Sequence, residues 1–492
     1  MERALRLISA NAKLLRQLRT GWGNRVGAGW SGAAVDINRA FAWHEDTAVI
    51  AWWRANLGTV LGWLTPMRRR FLLAMAAVLV GVPQLFRATL PLSGSPSHTD
   101  AAASALAVTA VVALLGLCYV ASAHFGSLPA VVRRHPQLAL HGFFWGLLLI
   151  LWNTASADPA WRHVLVGVAL ILPLLLWRMG YLLLAGQRGK VSGTPFTDHL
   201  IYLLPLQVGW FAFLPFGKGL DYLSRHEARD EYALARSQLA GIKLILLALL
   251  WYVMLAILHA LLYGSSNWVH RTLGGPGAAY LPAFGELLAQ GGDAPLWQSW
   301  LGIYVELVRR ALQVAILGHG IVGVFRLLGF NIFRNTYKPL LAETVSQFWA
   351  RLEFYYKELL VDFFFLPTFA KWFRKWPALR MFAAVFAAAV VGNMYCHLID
   401  LDRGVLVLHD FQAVWSHHSR LFYCLLLAIG IFVSMQREQR RGGQAPRAGF
   451  CRRVGRIVGV WTFFALIRIW DHFPEVSFVT RTQFFFGLFG LA

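Results

Sequence analysis

The sequence predicts an all-α, polytopic membrane protein, and three observations carry that prediction. The 492-residue chain is 57% hydrophobic and only 14% charged, where soluble domains carry about 25% charged residues. Its mean hydropathy is +0.52. Its apolar windows are long enough for helices that cross a hydrocarbon core about 30 Å thick. An outer-membrane barrel would show short alternating segments instead. The formal charge of +22 fits basic loops and anionic headgroups. It does not fit nucleic-acid binding, because no basic stripe alternates with polar, base-reading residues.

The elements follow in chain order. Residues 1–25 are basic and amphipathic and lack the apolar core and cleavage site of a signal peptide. Residues 52–64 are rich in Trp and suit a helix lying in the interface. Residues 1–70 therefore read as a basic amphipathic interfacial region, and 71–492 as one multi-span membrane domain. Candidate membrane segments are 71–90, 101–125, 138–152, 164–184, 201–216, 239–263, 312–330, 381–399, 421–435 and 457–469, with a charge-dotted apolar stretch at 345–369. The basic loops at 68–70, 133–134, 188–190, 218–236, 334–338, 371–380 and 437–456 are expected on the cytoplasmic side. The nearly Lys- and Arg-free loops at 92–100, 153–161 and 264–298 are expected on the other.

This assignment leaves 201–216 and 345–369 with basic loops at both ends. Neither can then be a simple span, and each is expected to be a re-entrant or interfacial element, its backbone buried in protein. The expected architecture is roughly nine to eleven membrane segments, re-entrant helices among them, around a central cavity. The four cysteines (Cys118, Cys396, Cys424, Cys451) show neither metal spacing nor a disulfide framework, so no metal is expected.

Ionisable residues at membrane depth are costly and mark sites or water-filled cavities. The stretch at 345–369 carries Arg351, Glu353, Lys357, Glu358 and Asp362, and His397 lies inside the next apolar run. A neutral His in an apolar cavity suits a general base, and Glu353 can orient that ring. Helix spacing pairs Glu353 with Lys357, and it sets Glu358 beside Asp362 as a like-charge pair unless a cation intervenes. Arg351 is the expected salt-bridge partner of Asp362.

The run from Gly318 to Pro367 resembles the membrane-bound O-acyltransferase family, most closely its branches that acetylate bacterial polysaccharides and alanylate teichoic acids. The family's Gly-Tyr-Ser-Asp and Leu-Gly-Phe are met by Gly318-His319 and Leu328-Gly329-Phe330. Its Asn-Phe…Pro-Tyr loop is met by Asn335-Thr336-Tyr337-Lys338-Pro339. Its Phe-Trp-Arg-Arg-Trp-His and Arg-Asp-Tyr fall in register with Phe348-Trp349-Ala350-Arg351-Leu352-Glu353 and Asp362. The family's catalytic His is matched by His397. The likeness covers about a hundred of 492 residues, within a core at about 300–435. Three departures stand out. Glu353 replaces a His, His319 replaces an Asp, and Cys396-His397-Leu398 replaces Trp-His-Gly.

The resemblance implies a membrane-embedded O-acyltransferase of the bacterial inner membrane. It would move an acyl group from a cytoplasmic thioester, acyl-CoA or an acyl carrier protein, to a hydroxyl of a glycan or lipid. No permanently bound cofactor is expected, and partner subunits for an acyl relay are. His397 and Glu353 are the expected catalytic residues. Arg351, Lys357, Asp362 and His319 are expected to support the cavity, and Asn335, Tyr337, Lys338 and Trp349 to meet the donor. Two alternatives stay open. One is a divergent member of the fold that acts as a scaffold in a membrane complex. The other is a transporter using buried Glu, Asp and His, which internal repeats would favour and none are visible.

Overall fold

The computed structural model describes residues 42–89, 98–154, 159–189, 196–203, 219–263, 281–400, 418–441, 449–471, 473 and 475–491. The chain divides into two units, Met1–Ala51 and Trp52–Ala492. In the first, Asp46 Oδ1 accepts from the Ala48 amide at 2.8 Å and caps the start of α1 (Thr47–Trp63). All other features below belong to the second unit. The expected re-entrant segment at 201–216 lies outside the described residues beyond Leu203.

Among the described residues the regular elements are helical, apart from one isolated bridge between Glu227 and Phe330. The chain runs through α2 (Pro66–Thr89), α3 (His98–Ala123), α4 (Pro136–Thr154), α5 (Pro159–Gln187), α6 (Phe196–Leu203), α7 (Leu220–His226), α8 (Glu231–Leu262) and α9 (Leu296–Leu327). It continues through α10 (Val345–Leu352), α11 (Phe354–Leu360), a π-helical turn (Val361–Phe365), α12 (Leu366–Lys371) and α13 (Pro377–Phe386). A second π turn (Ala387–Gly392), α14 (Asn393–Asp400), α15 (His418–Arg440), α16 (Phe450–Ile467) and α17 (Phe478–Gly487) complete it. Among the described residues, four helices are long and apolar enough to cross a membrane: Glu231–Leu262, Leu296–Leu327, Pro377–Ile399 and His418–Arg440. The chain is an all-α polytopic membrane protein.

Local chemistry sets the boundaries. Pro66, Pro136 and Pro377 open α2, α4 and α13, where the missing N–H costs nothing. Asp230 caps α8 by accepting from the Ala233 amide at 2.7 Å. Thr344 caps α10 through the Gln347 amide. The residues expected to lie in the interface form α1, on which Trp52 and Trp63 are exposed.

Helices α8 and α9 approach closely. A Cβ on Gly241 would stand 2.8 Å from the Gly323 carbonyl, and Ser237 donates to the Arg326 carbonyl at 2.8 Å. Small residues let two membrane helices meet backbone to backbone. After α9 the chain turns at Gly329 (φ +83°). It is held by two Arg326 hydrogen bonds to the Ile332 carbonyl at 3.0 and 2.7 Å, and it folds back along the helix until Asn335 packs against Gly318. The loop at 334–338 was expected at the membrane surface. In the structure Asn335 and Thr336 are buried, because their side chains bond the broken ends of the next helix.

That break is the structural form of the charge-dotted stretch. Residues α10 to α12 and α13 to α14 make an antiparallel hairpin whose arms meet at the two π turns. Gly392 packs on Phe364 and Leu360, and Tyr356 donates to Asn393 Oδ1 at 2.5 Å. The open end of the hairpin is Glu353, which leaves helical geometry (φ −133°, ψ 79°) between α10 and α11. The start of α10 lies beside α15, with Ser346 bonded to Ser434 and Glu438. The other arm returns to α13, where Phe382 packs on Phe432 of the same α15. Ser346 and Phe382 thus both lie against the C-terminal half of α15.

Candidate functional site

Glu353 sits at the helix break because four polar contacts make a break affordable there. The Phe354 amide donates to the Asn335 carbonyl at 2.9 Å and the Tyr355 amide to Asn335 Oδ1 at 3.3 Å. Thr336 Oγ1 donates to the Leu352 carbonyl at 2.8 Å, and the Tyr337 amide to the Arg351 carbonyl at 2.8 Å. The backbone groups that a broken helix would orphan are thus satisfied by the returning loop. Asn335 is framework, buried at the break. Tyr337 stays partly exposed, with Arg334 and Lys338 over its ring at 5.5 and 5.7 Å. Trp349 lies edge-on to Tyr356.

The hairpin register carries its two arms towards the end at which Glu353 and His397 lie. From Leu360 and Phe364 against Gly392 the arms step to Tyr356 against Asn393. One further turn towards the open end sets Glu353 level with His397, which lies four residues beyond Asn393 on the same face of α14. His397 is buried, at 7% exposure.

Around this point the structure gathers charges that are far apart in sequence. Arg310 on α9 donates to Glu353 at 3.5 Å. One turn earlier on α9, fully buried Glu306 takes both nitrogens of Arg309 at 2.6 and 2.8 Å and Arg468 at 3.2 Å. Arg468 also pairs with Asp471, and Arg420 on α15 approaches Asp471 at 3.4 Å. Burial raises the Asp471 carboxyl, but Arg468 and Arg420, with His397 and Arg310 next, outweigh it and hold the group well below its ordinary 3.8. Asp471 is therefore ionised and in electrostatic contact with His397. Arg481 fixes the chain around Asp471 by donating to the carbonyls of Ile469, Asp471, Phe473 and Val476.

The remaining expected residues are distributed differently. Arg351 does not reach Asp362; it donates to the Leu341 carbonyl at 3.2 Å. Asp362, in the first π turn, accepts from the Tyr181 hydroxyl at 3.1 Å. Arg351 and Asp362 are eleven positions apart with the break at Glu353 between them, about three turns along the axis, which is beyond the reach of a salt bridge. Lys357 pairs with Glu358 and lies 4.9 Å over the Phe354 ring. Its amide donates to the Glu353 carbonyl at 3.0 Å, and its ammonium stands beside the Glu358 carboxylate. His319 is buried and donates from Nδ1 to the Ala315 carbonyl at 2.6 Å, leaving Nε2 as the acceptor. It lies on α9, two and a half turns from Arg310.

Glu306, Arg309, Arg310, Arg420, Arg468 and Asp471 escaped the sequence reading. Their signal was present in part. Glu306, Arg309 and Arg310 have i,i+3 and i,i+4 spacing, but the span was started at 312 and they fell just outside it. The chain matches no protein-family model, and no curated protein matches it significantly.

Proposed function

We propose that this protein is a membrane-embedded O-acyltransferase that moves an acyl group from a thioester donor, acyl-CoA or an acyl carrier protein, to a hydroxyl of a glycan or lipid. The observation that carries the reading is the convergence of His397 and Glu353 at the open end of one hairpin, inside a buried ring of charges. Two residues that the acyltransferase resemblance pairs are 44 positions apart in sequence, and the register of the hairpin supports reading them as one site.

The chemistry follows from the donor set. Neutral His397 takes the proton of the acceptor hydroxyl as its oxygen attacks the thioester carbonyl. The tetrahedral centre then collapses, the C–S bond breaks, and the imidazolium returns the proton to the departing sulfur. Glu353, paired with Arg310, orients the ring and stabilises its cationic form, as does Asp471. Arg310 also supplies positive charge near the developing oxyanion. Burial makes each of these contributions larger than it would be in water.

The test uses purified protein, labelled acyl-CoA and membrane extract as the source of acceptor. His397→Ala should lower label transfer roughly 10²–10⁴-fold, the range of a general base. Equal transfer by the wild type and the variant would remove His397 from the mechanism. Transfer by neither, with both folded, would favour the scaffold alternative.

A further inference from the structure

The turn that closes the hairpin, residues 371–380, reads KWFRKWPALR. Positions 371 to 379 are all exposed, and Trp372 and Trp376 each show 61% of their surface. No Asp or Glu occurs between residues 363 and 399, so Lys371, Arg374 and Lys375 form a cationic tip without a local counter-charge.

The tip has a defined shape. The Trp372 amide bonds the Thr368 carbonyl at 3.0 Å, ending one arm, and the Trp376 amide bonds the Phe373 carbonyl at 3.0 Å. Between them Phe373 takes φ +50°, a conformation that side-chain-bearing residues rarely adopt. Its ring stacks on Trp376. Arg380 is committed inward, with its guanidinium 4.0 Å over the Phe369 ring and donating to the Phe369 carbonyl. Lys371, Arg374 and Lys375 and the two exposed indoles face away from the protein.

The depth of this tip follows from the span it adjoins. Pro377–Ile399 has 23 residues, about 34 Å of helix at 1.5 Å per residue, against a hydrocarbon core of about 30 Å. Residues 372–376 therefore fall just beyond one end of the core, in the layer where indoles collect. We infer that the 371–376 turn is a binding site for acidic phospholipid headgroups, with Trp372 and Trp376 seated at headgroup level and Lys371, Arg374 and Lys375 meeting the phosphates. Headgroups, not a soluble anion, are the ligand, because the cations share one tip with aromatic surface that only a membrane covers. The site lies at the opposite end of the hairpin from Glu353 and His397 and does not depend on the acyltransferase reading.

The test uses full-length protein in nanodiscs in which either the phosphatidylglycerol or the phosphatidylcholine carries brominated acyl chains. Subtracting the emission of Trp372→Phe/Trp376→Phe from that of the wild type isolates the two indoles. Brominated phosphatidylglycerol should quench them several-fold more than its mole fraction predicts. Lys371→Gln/Arg374→Gln/Lys375→Gln should abolish that excess, each cation near an acidic surface being worth roughly fivefold in affinity. Equal quenching by both lipids in the wild type overturns the inference, as does an excess that survives the triple substitution, or indoles that no brominated lipid quenches. Native mass spectrometry gives a second readout that leaves every Trp in place. The wild type should retain more phosphatidylglycerol than the triple Gln variant, and equal retention overturns the proposal.

Discussion

Arg310 Nη2 stands 3.5 Å from Glu353 Oε1, joining the middle of one long span to the break between α10 and α11. Neither side chain is more than about a quarter exposed, so the pair is poorly screened and losing one partner strands the other. Glu353→Gln keeps the shape and removes the charge, and Arg310→Met keeps the bulk of the stem. Each should reduce acyl transfer by at least tenfold. The double variant should be little worse than either single one, because the two residues act as a unit. Additive losses measured across the cycle would show that the pair does not work as one.

The Tyr356–Asn393 hydrogen bond sets the register that brings Glu353 level with His397. Tyr356→Phe deletes one hydroxyl and leaves a buried amide oxygen without its donor, at a cost of about 1–3 kcal/mol. The expected result is a lower melting temperature in detergent together with a loss of turnover, since the catalytic alignment rests on the same contact. Trp349→Phe, on the neighbouring ring of that cluster, should lower stability with less effect on turnover. If Tyr356→Phe leaves turnover intact, the register is held elsewhere.

Asp471 makes a prediction about pH. Its folded-state carboxyl is held below the ordinary 3.8 by Arg468 and Arg420 against the cost of burial. A depressed carboxylate contributes stability that is present above its unfolded value and lost as the pH falls through the folded one. Asp471→Asn should therefore melt earlier than the wild type at neutral pH, by on the order of 3 kcal/mol. The gap should close as the pH is lowered below 3.8. Thermal unfolding in detergent between neutral and strongly acidic pH checks this, and a gap that is constant with pH would mean that the charge of Asp471 contributes nothing.

How much of this was readable in the sequence depends on the range of each contact. The apolar runs around 239–263, 312–330, 381–399 and 421–435 gave spans because hydrophobicity is a local property of the chain. The charges that dot 345–369, with basic loops on both sides, spoke against a simple span there, but the position of the break at Glu353 was not legible. Nor was the ring of charges. Glu306, Glu353, His397, Arg420 and Asp471 come from five elements, and only the packing of α9, the hairpin, α15 and the C-terminal segment brings them together. The two π turns defeated helical spacing as well. Each inserts one residue into its arm, and the expected pairing of Arg351 with Asp362 gives way to separate partners, the Leu341 carbonyl and the Tyr181 hydroxyl.

The α8–α9 crossing offers a test with its own control. A Cβ on Gly241 would fall 2.8 Å from the Gly323 carbonyl and 2.9 Å from the Leu327 amide, and both are backbone atoms that cannot rotate away. Gly241→Ala must therefore separate the two helices, which moves α9 and with it Glu306, Arg309 and Arg310. Overpacking of this kind costs about 1–3 kcal/mol. Gly320 lies on the same α9, and a Cβ there meets no atom within 4 Å. Gly320→Ala should be neutral or stabilising by about 0.5–1 kcal/mol, since Ala loses less backbone freedom than Gly on forming a helix. Melting temperatures of the two variants should move in opposite directions, and only Gly241→Ala should lower acyl transfer, through displacement of Arg310 from Glu353. If both variants behave like wild type, α8 and α9 do not cross as closely as their glycines imply.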